Sequence, residues 1–143
     1  MIIKFTKLDP RATMPQKAHL NDAAFDLRAI DATFTDNSIT YSTGIAVDIP
    51  PGYCGLVFQR SSVSKKSLIL SNAVGVIDSG YSGPIKCNFK RTDASAEYYS
   101  PGDRIAQIAF IQLPPVIFEE VASVDDFEHT TDRSAGGFGS TGI

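Results

Sequence analysis

The sequence has few cysteines, no long hydrophobic run and no excess of positive charge. Its two cysteines, Cys54 and Cys87, are too few for a disulfide framework in 143 residues. Both lie in apolar, strand-like runs, so we predict buried free thiols. No stretch approaches the ~20 apolar residues that a membrane-spanning helix needs. The N-terminus also lacks the apolar core of a signal peptide, so we expect an intracellular, cytoplasmic protein without membrane contact.

The charge balance argues against one broad class of partner. The chain has 16 acidic and 13 basic residues, which give a formal net charge of −3. A protein that binds nucleic acid regardless of its sequence needs a basic surface, so we expect no stable nucleic-acid binding. The same balance leaves room for a small basic pocket that binds one anionic ligand.

Turn signals are frequent, and short apolar runs lie between them. Runs rich in Ile, Val, Phe and Tyr alternate with turns such as "IPPGYCG" and "SPGD". This pattern predicts an all-β barrel or sandwich in a single domain. The predicted strands are "IIKFTKL", "ATFTD", "GIAVDI", "GLVFQ", "GVID", "IKCNFK" and "IAQIAFIQL". One short helix is predicted in "SSVSKKSLIL", with Ser61 or Ser62 as its N-cap.

The composition changes after the double proline at positions 114 and 115. Proline ends a strand and directs the chain outward, so we divide the chain into a core, residues 1–115, and an arm, residues 116–143. The arm is acidic at first and then rich in glycine. Its apolar side chains need a surface to pack on, and a neighbouring subunit would supply one.

Two stretches combine charged and hydroxyl side chains. In "DAAFDLRAI", Asp26 and Arg28 are two residues apart, so on a strand they share one face. They are either a surface ion pair of little energetic value or a carboxylate and a guanidinium that are both held at a site. In "QRSSVSKKS", Arg60, Ser61 and Ser62 stand at the start of the predicted helix, where N–H groups bind anions. A plain Ser cap with a solvated basic turn would explain the same residues.

Three further stretches also allow a site. "NAVGVIDSGYSGPI" predicts a tight hairpin that presents Asp78 and Tyr81, although Asp-Ser-Gly is also an ordinary turn string. Gln107 lies within the apolar strand of "SPGDRIAQIAF" and, if it is buried, needs a hydrogen-bond partner, which is either structural or a ligand. The backbone amides of the tail, "RSAGGFGSTGI", could wrap phosphates, and Phe138 could stack on a flat ring. A disordered chain end would have the same composition.

Together, and in this order, these stretches resemble the five motifs of the trimeric, all-β dUTPase family. The matching segments are "AAFDLRA", "RSS", "GVIDSGYSG", "PGDRIAQIAF" and "RSAGGFGSTG". The resemblance implies a distorted jelly-roll β-barrel with one short helix. It also implies a homotrimer in which the C-terminal arm is exchanged between subunits. The arm would close as a lid over a site built from all three chains.

The resemblance further implies a reaction. The enzyme would hydrolyse dUTP to dUMP and pyrophosphate, which limits uracil incorporation into DNA and supplies dUMP for dTMP synthesis. Asp78 would be the general base for a water that attacks the α-phosphorus in line. The cofactor would be Mg²⁺, held mainly by the three phosphates, with Asp26 contacting it through water.

The resemblance assigns the other site residues to the two ends of the substrate. Those that contact uracil and deoxyribose would be Asn72, Gly75, Val76, Ile77, Tyr81 and Phe138. Those that contact the phosphates would be Arg60, Ser61, Ser62, Gln107, Arg133, Gly137, Ser140 and Thr141.

Three other functions use similar scaffolds. A dCTP deaminase needs a glutamate beside the nucleobase for deamination. The segment "IKCNFKR", which follows the third motif, contains no glutamate. A non-catalytic trimer that binds a nucleotide or a protein would be expected to lose Asp78 or the arm. A jelly-roll assembly protein, such as a capsid subunit, would leave Asp78 and Tyr81 without a role. A regulatory protein partner in addition to catalysis is compatible with the sequence.

Overall fold

The computed structural model describes residues 1–129, and their regular secondary structure is almost entirely β-strand. The strands are β1 Lys4–Lys7, β2 Phe25–Arg28, β3 Asp31–Phe34, β4 Ser38–Ser42, β5 Ile45–Asp48, β6 Tyr53–Gln59, β7 Leu68–Leu70, β8 Val74–Ile77, β9 Lys86–Arg91 and β10 Arg104–Gln112. Two short 3-10 helices, Ser61–Lys65 and Val124–Asp126, accompany them. Over these residues, no helix has both the length and the apolar composition needed to cross a membrane.

Two four-stranded antiparallel sheets carry the fold. The first has the strand order β2-β10-β6-β8, the second has the order β3-β4-β9-β7, and β1 and β5 form a separate pair. Most neighbours within a sheet are far apart in sequence, as in jelly-roll sandwiches. The predicted all-β fold is confirmed.

Buried side chains from both sheets form one hydrophobic core. In β9, Cys87 and Phe89 are buried, while the residues beside them are exposed or half-buried. This alternation is typical of a strand with one buried face. The rings of Tyr41, Phe89 and Tyr99 pack against each other in the core, with centroids 5.7 to 5.9 Å apart. The Tyr99 backbone N–H donates a hydrogen bond to the Tyr41 hydroxyl oxygen at 2.9 Å.

Both cysteines are buried free thiols, as predicted. Burial raises the pKa of the Cys87 thiol to about 12. A thiol reacts through its thiolate form, so Cys87 contributes packing rather than chemistry near neutral pH.

The predicted helix is shorter than the sequence suggests, and its cap is different. It is the five-residue 3-10 helix Ser61–Lys65, and Arg60 occupies the N-cap position without a side-chain capping hydrogen bond. The predicted Ser cap is therefore wrong. The end of the same stretch is strand β7, because Leu68 and Leu70 are buried in the core. Core packing outweighs the local helical preference there.

Gly44 joins β4 to β5 in a conformation that favours glycine. Its φ is +67°, and a Cβ at this position would lie 2.5 Å from Ile30 Cδ1 and 3.1 Å from Ala12 Cβ. We expect Gly44→Ala to lower the free energy of unfolding by about 2–4 kcal/mol, because overpacking adds to backbone strain. Chemical denaturation would measure the loss.

Gly52 provides the matched control. Its φ is +79°, but no atom lies within 4 Å of an added Cβ. Gly52→Ala should therefore cost only the backbone strain, about 1–2 kcal/mol. Equal losses in the two variants would show that packing around Gly44 adds nothing.

Candidate active site

Three neighbouring strands of the first sheet bring together polar residues from distant parts of the sequence. Asp26 of β2 pairs with Gln107 of β10, which pairs with Phe58 of β6. Directly paired residues point to the same face of a sheet. Arg60 follows β6 at the same end, and these residues line a cavity of about 360 Å³ together with Asp22.

Asp26 is the centre of this cluster. One carboxylate oxygen accepts a hydrogen bond from Arg60 Nε at 2.8 Å, and the other accepts one from Arg104 Nη1 at 3.1 Å. The Asp26 side chain is only 15% exposed. Partly buried ion pairs are screened less by water and salt than surface pairs, so this one holds Arg60 in a defined position.

Arg104 is absent from the sequence-based site prediction, and a β-bulge explains why. Residues three apart on a regular strand point to opposite faces, so Arg104 and Gln107 should not share one. The register of β10 against β2 shifts between Arg104 and Ala106. A bulge of this kind re-aims a side chain. Arg104 thereby reaches Asp26, on the face that carries Gln107.

Arg28 does not pair with Asp26. Its Nη1 donates instead to the Gly102 carbonyl oxygen at 2.6 Å. The surface ion pair considered for this stretch is therefore wrong. The other alternative, a carboxylate and a guanidinium that are both held at a site, stays a prediction; the guanidinium nearest Asp26 is that of Arg60, not Arg28.

The remaining polar residues of this cluster are held by local hydrogen bonds. Arg60 Nη1 donates to Ser62 Oγ at 3.3 Å, and Gln107 Nε2 donates to the Gln59 carbonyl oxygen at 3.3 Å. Ser61 is exposed at the start of the 3-10 helix. Because that helix is so short, its aligned peptide dipoles add little attraction for an anion, and the side chains supply the donors.

A second cavity, of about 290 Å³, opens between β8 of the first sheet and β9 of the second. Four residues assigned to the uracil line it together: Asn72, Gly75, Val76 and Ile77. A Cβ on Gly75 would lie 3.2 Å from Val57 Cβ and 3.6 Å from Asn72 Nδ2. The glycine thus lets β8 pack closely beside the Asn72 amide.

The turn that carries Asn72 is strained. Ala73 has a φ of +59°, and the Val74 N–H donates back to the Asn72 carbonyl oxygen. A non-glycine residue in this region costs about 1–3 kcal/mol and is found most often at functional sites. The surrounding contacts must therefore hold this turn in place.

Asp78 begins the loop that follows β8, and this loop is not a hairpin. A turn closes where the Tyr81 N–H donates to the Asp78 carbonyl oxygen at 3.2 Å. However, β8 pairs with β6, whereas β9 pairs with β4 and β7, so the loop crosses from one sheet to the other. The hairpin prediction is wrong, because Asp, Gly and Pro serve both kinds of connection equally well.

Tyr81 lies on the far side of this loop. Its hydroxyl donates to the Pro84 carbonyl oxygen at 3.1 Å, and its side chain lies over Gly83. It lines a different cavity, of about 410 Å³, together with Phe5 and Asp48.

Asp78 and Arg60 lie far apart within one chain. Val74 pairs with Phe58 and Ile77 with Gly55, so Asp78 and Arg60 flank opposite ends of the paired segment. Their separation is about six residues, or roughly 20 Å along the strand direction. A general base must lie within hydrogen-bond reach of the group it serves, directly or through one water. One chain alone therefore does not unite the predicted base with the Asp26 cluster.

Comparison with known proteins decides the family. The family model described as dUTPase matches residues 10–142. The chain belongs to the dUTPase family. The deoxyuridine 5'-triphosphate nucleotidohydrolase of Rhodococcus erythropolis is 41% identical over 144 residues, which cover 98% of this chain and 85% of the relative. The enzyme of the same name from Escherichia phage T5 is 36% identical over 149 residues, which cover 98% and 97% of the two chains.

Solved dUTPase structures have the same fold. The dUTPase of Staphylococcus bacteriophage 80alpha, solved with dUPNHPP, matches with a TM-score of 0.85 at 26% identity and 99% coverage of both chains. A mutant dUTPase from phage phi11 of S. aureus, described with a structural Mg(II) ion, matches with a TM-score of 0.76 at 26% identity. That alignment covers 90% of this chain and all of the other.

Residues of four of the dUTPase motifs can be placed in the structure. Asp26, Arg60 and Gln107 come together at one cavity, and Gly75, Val76 and Ile77 of the third motif lie at the other. The fifth motif cannot be placed: Arg133, Gly137, Phe138, Ser140 and Thr141 lie outside the described residues.

Proposed function

We propose that this chain hydrolyses dUTP to dUMP and pyrophosphate. The observation that carries the proposal is the convergence of Asp26, Arg60 and Gln107, from three separate dUTPase motifs, at one cavity. Arg60 and Gln107 offer hydrogen-bond donors suited to phosphate oxygens, and the guanidinium geometry permits bidentate contacts. The family match over residues 10–142 supports the same reaction.

Arg60, Ser61, Ser62 and Gln107 would bind the triphosphate. Arg60 now donates to Asp26 and Ser62, and a bound phosphate would compete with these partners. Arg104 would then remain as the cation beside Asp26. Donors placed on the leaving pyrophosphate stabilise the charge that develops there, which is commonly the largest contribution to catalysis.

Asp78 would orient the attacking water and accept its proton. The water oxygen forms a bond to the α-phosphorus while the bond from this phosphorus to the α–β bridging oxygen breaks. The electron pair leaves on pyrophosphate. Asp78 is exposed at the end of β8, where a phosphate chain could reach it. Because a carboxylate is a weak base, positioning and charge stabilisation would supply much of the rate.

The donor set suits Mg²⁺ bound mostly by substrate. No group of three His, Cys, Asp or Glu side chains able to hold a metal is found in residues 1–129. Asp26 and Asp22 line the same cavity and could hold waters of a hydrated ion. Mg²⁺ keeps several waters and binds through phosphates with one or two carboxylates. When bound, it would neutralise charge on the triphosphate.

The cavity beside β8 would read the base. The uracil edge would face Asn72 and the main chain of residues 75–77. Tyr81 would pack under the deoxyribose, and Phe138 would pack over the uracil. An analogue with mismatched hydrogen-bonding groups leaves buried polar groups of the site unpaired, so the site discriminates strongly against it. Cytosine differs from uracil in this way at one edge, whereas thymine adds only a methyl group that must be excluded by shape.

The active unit would be a homotrimer that exchanges its arms. Ile117 is 93% and Phe118 98% exposed, and Val76 on the outer face of β8 is 61% exposed. Large exposed apolar groups of this kind mark surfaces that bind another protein chain. A second copy could cover them and supply the Asp78 that the Asp26 cluster lacks. The core of residues 1–115, the arm of residues 116–143 and the cytoplasmic location stay predictions.

A nucleotide panel tests the proposed reaction. The purified protein would be incubated with Mg²⁺ and dUTP, dCTP, dTTP or UTP, and the products separated by chromatography. We expect dUMP and pyrophosphate from dUTP alone. Ammonia or dUMP from dCTP would indicate a deaminase instead. No turnover of any of the four nucleotides would refute the proposal and favour a binding protein.

Deletion of residues 133–143 tests the proposed lid. We expect the truncated chain to fold and assemble normally but to lose about 10²-fold or more of its kcat/KM, because the last motif supplies phosphate and base contacts. Gel filtration and steady-state kinetics would measure both properties. A truncated protein as active as the intact one would contradict the lid.

A further inference from the structure

We infer that Asn88 is a positioning residue for base recognition. The inference rests on the proposed function, in which Asn72 contacts the uracil. Asn88 lies in the middle of β9, outside the five dUTPase motifs, and its side chain lines the same cavity as Asn72. It is half-buried, and its amide connects two strands to the turn that carries Asn72.

The Asn88 amide is hydrogen bonded on both sides. Its Nδ2 donates to Thr40 Oγ1 at 2.7 Å and to Ser38 Oγ at 3.3 Å, both on β4. Its Oδ1 accepts a hydrogen bond from the Ser71 hydroxyl. The three partners are hydroxyls on two different elements, so they hold the plane of the Asn88 amide between β4 and Ser71.

Ser71 connects this network to the base-binding turn. Its backbone N–H donates to the Asn88 carbonyl oxygen at 2.9 Å, so both its side chain and its main chain are held by the same residue. Asn72 follows directly, and Ala73, with a φ of +59°, completes the strained turn. A strained conformation persists only where its surroundings hold it. The Ala73 N–H also donates to the Leu70 carbonyl oxygen of β7 at 3.0 Å, and Asn88 adds the side-chain contact that clamps Ser71 to the second sheet.

The consequence is a rigid Asn72. Without the clamp, the turn can relax toward less strained conformations, and the uracil must order it on binding. Removal of the Asn88 clamp should therefore weaken the binding of the base. The chemical step should change little, because Asp78 lies at the opposite end of β8 from this turn.

The test compares variants of Asn88 with variants of its partner Ser71. Asn88→Leu keeps a similar volume but removes all side-chain hydrogen bonds. We expect KM for dUTP to rise roughly tenfold, with kcat within about twofold, and the preference for dUTP over dTTP to narrow. Ser71→Ala should behave in the same way. Ser71→Thr retains the hydroxyl and should restore near-normal KM.

Ser38→Ala is the matched control. Ser38 accepts a hydrogen bond from the same amide but lies on β4 and does not contact the turn that carries Asn72. It should leave KM unchanged. An equal rise of KM in Ser38→Ala and Ser71→Ala, or an unchanged KM in both Asn88→Leu and Ser71→Ala, would overturn the inference. If thermal melting shows that Asn88→Leu does not fold, Ser71→Ala alone provides the test, because Ser71 is exposed and its substitution should not disturb the core.

A binding measurement separates this inference from the proposed function. Calorimetric titration with dUMP reports on the base end of the site without turnover, and Asn88→Leu should weaken dUMP binding roughly tenfold. A wild-type protein that binds dUMP but does not hydrolyse dUTP would refute the proposed reaction alone. A wild-type protein that hydrolyses dUTP, with Asn88→Leu unchanged in KM and dUMP affinity, would refute the positioning role alone.

Discussion

Asp78→Asn is expected to abolish turnover of dUTP while leaving the fold and nucleotide binding intact. The substitution removes the carboxylate that would take the proton of the attacking water. General-base catalysis of this kind contributes about 10²–10⁴-fold, and kcat should fall by that factor. Asp78 is exposed in a loop, so the core should not change. Pyrophosphate release would measure kcat, and calorimetry with dUTP would measure binding to the inactive variant.

The control for this variant is Asp36→Asn, which removes an exposed carboxylate from the turn between β3 and β4. It makes the same change in charge but lines none of the three cavities described above, so it should keep full activity. Full activity in Asp78→Asn would refute the base assignment. Loss of dUTP binding together with activity would instead make Asp78 a residue of the binding site.

A mixture of two inactive variants is expected to recover activity. Asp78→Asn and Arg60→Gln would each be nearly inactive alone. Because about 20 Å separates Asp78 from Arg60 along the strands of one chain, we expect each site to take them from different chains. After unfolding and joint refolding at equal amounts, both residues are intact in about a quarter of the sites of a symmetric trimer. Activity should therefore return to about a quarter of the wild-type value.

The matched control mixes Asp78→Asn with a double variant that carries both substitutions. Every site then lacks the carboxylate, so no activity should return. Mass spectrometry of the intact assemblies would verify that mixed trimers have formed. Mixed trimers without recovered activity would show that Asp78 and Arg60 of one site belong to a single chain, which contradicts the shared site.

Much of the fold could be predicted from sequence, because buried strands leave a local pattern. The alternation in "IKCNFK" corresponds to β9, where Cys87 and Phe89 are buried. Strand β4 is absent from the prediction, because Ser and Thr outnumber the two residues that face the core, Ile39 and Tyr41. A strand half composed of hydroxyl residues resembles a turn until its partners are known.

The site was predicted only as a set of residue types in order. The sequence indicates that Asp26, Arg60 and Gln107 belong to motifs, but spacing along the chain does not show which of them touch. Arg104 was missed because its face depends on a β-bulge, and the bulge arises from pairing with β2. Asn88 was missed because its three hydrogen-bond partners lie 17 to 50 residues away.

The sequence by itself determined the β class, the free thiols and the chemical groups available for catalysis, because these depend on residue type and short-range pattern. Only the tertiary structure decided which groups meet. Sheet register joins Asp26 to Arg60 and separates Arg60 from Asp78. Strand pairing also determines that the loop after β8 crosses from one sheet to the other rather than forming a hairpin. Pairing between distant strands is a property of the whole chain, and no local stretch encodes it.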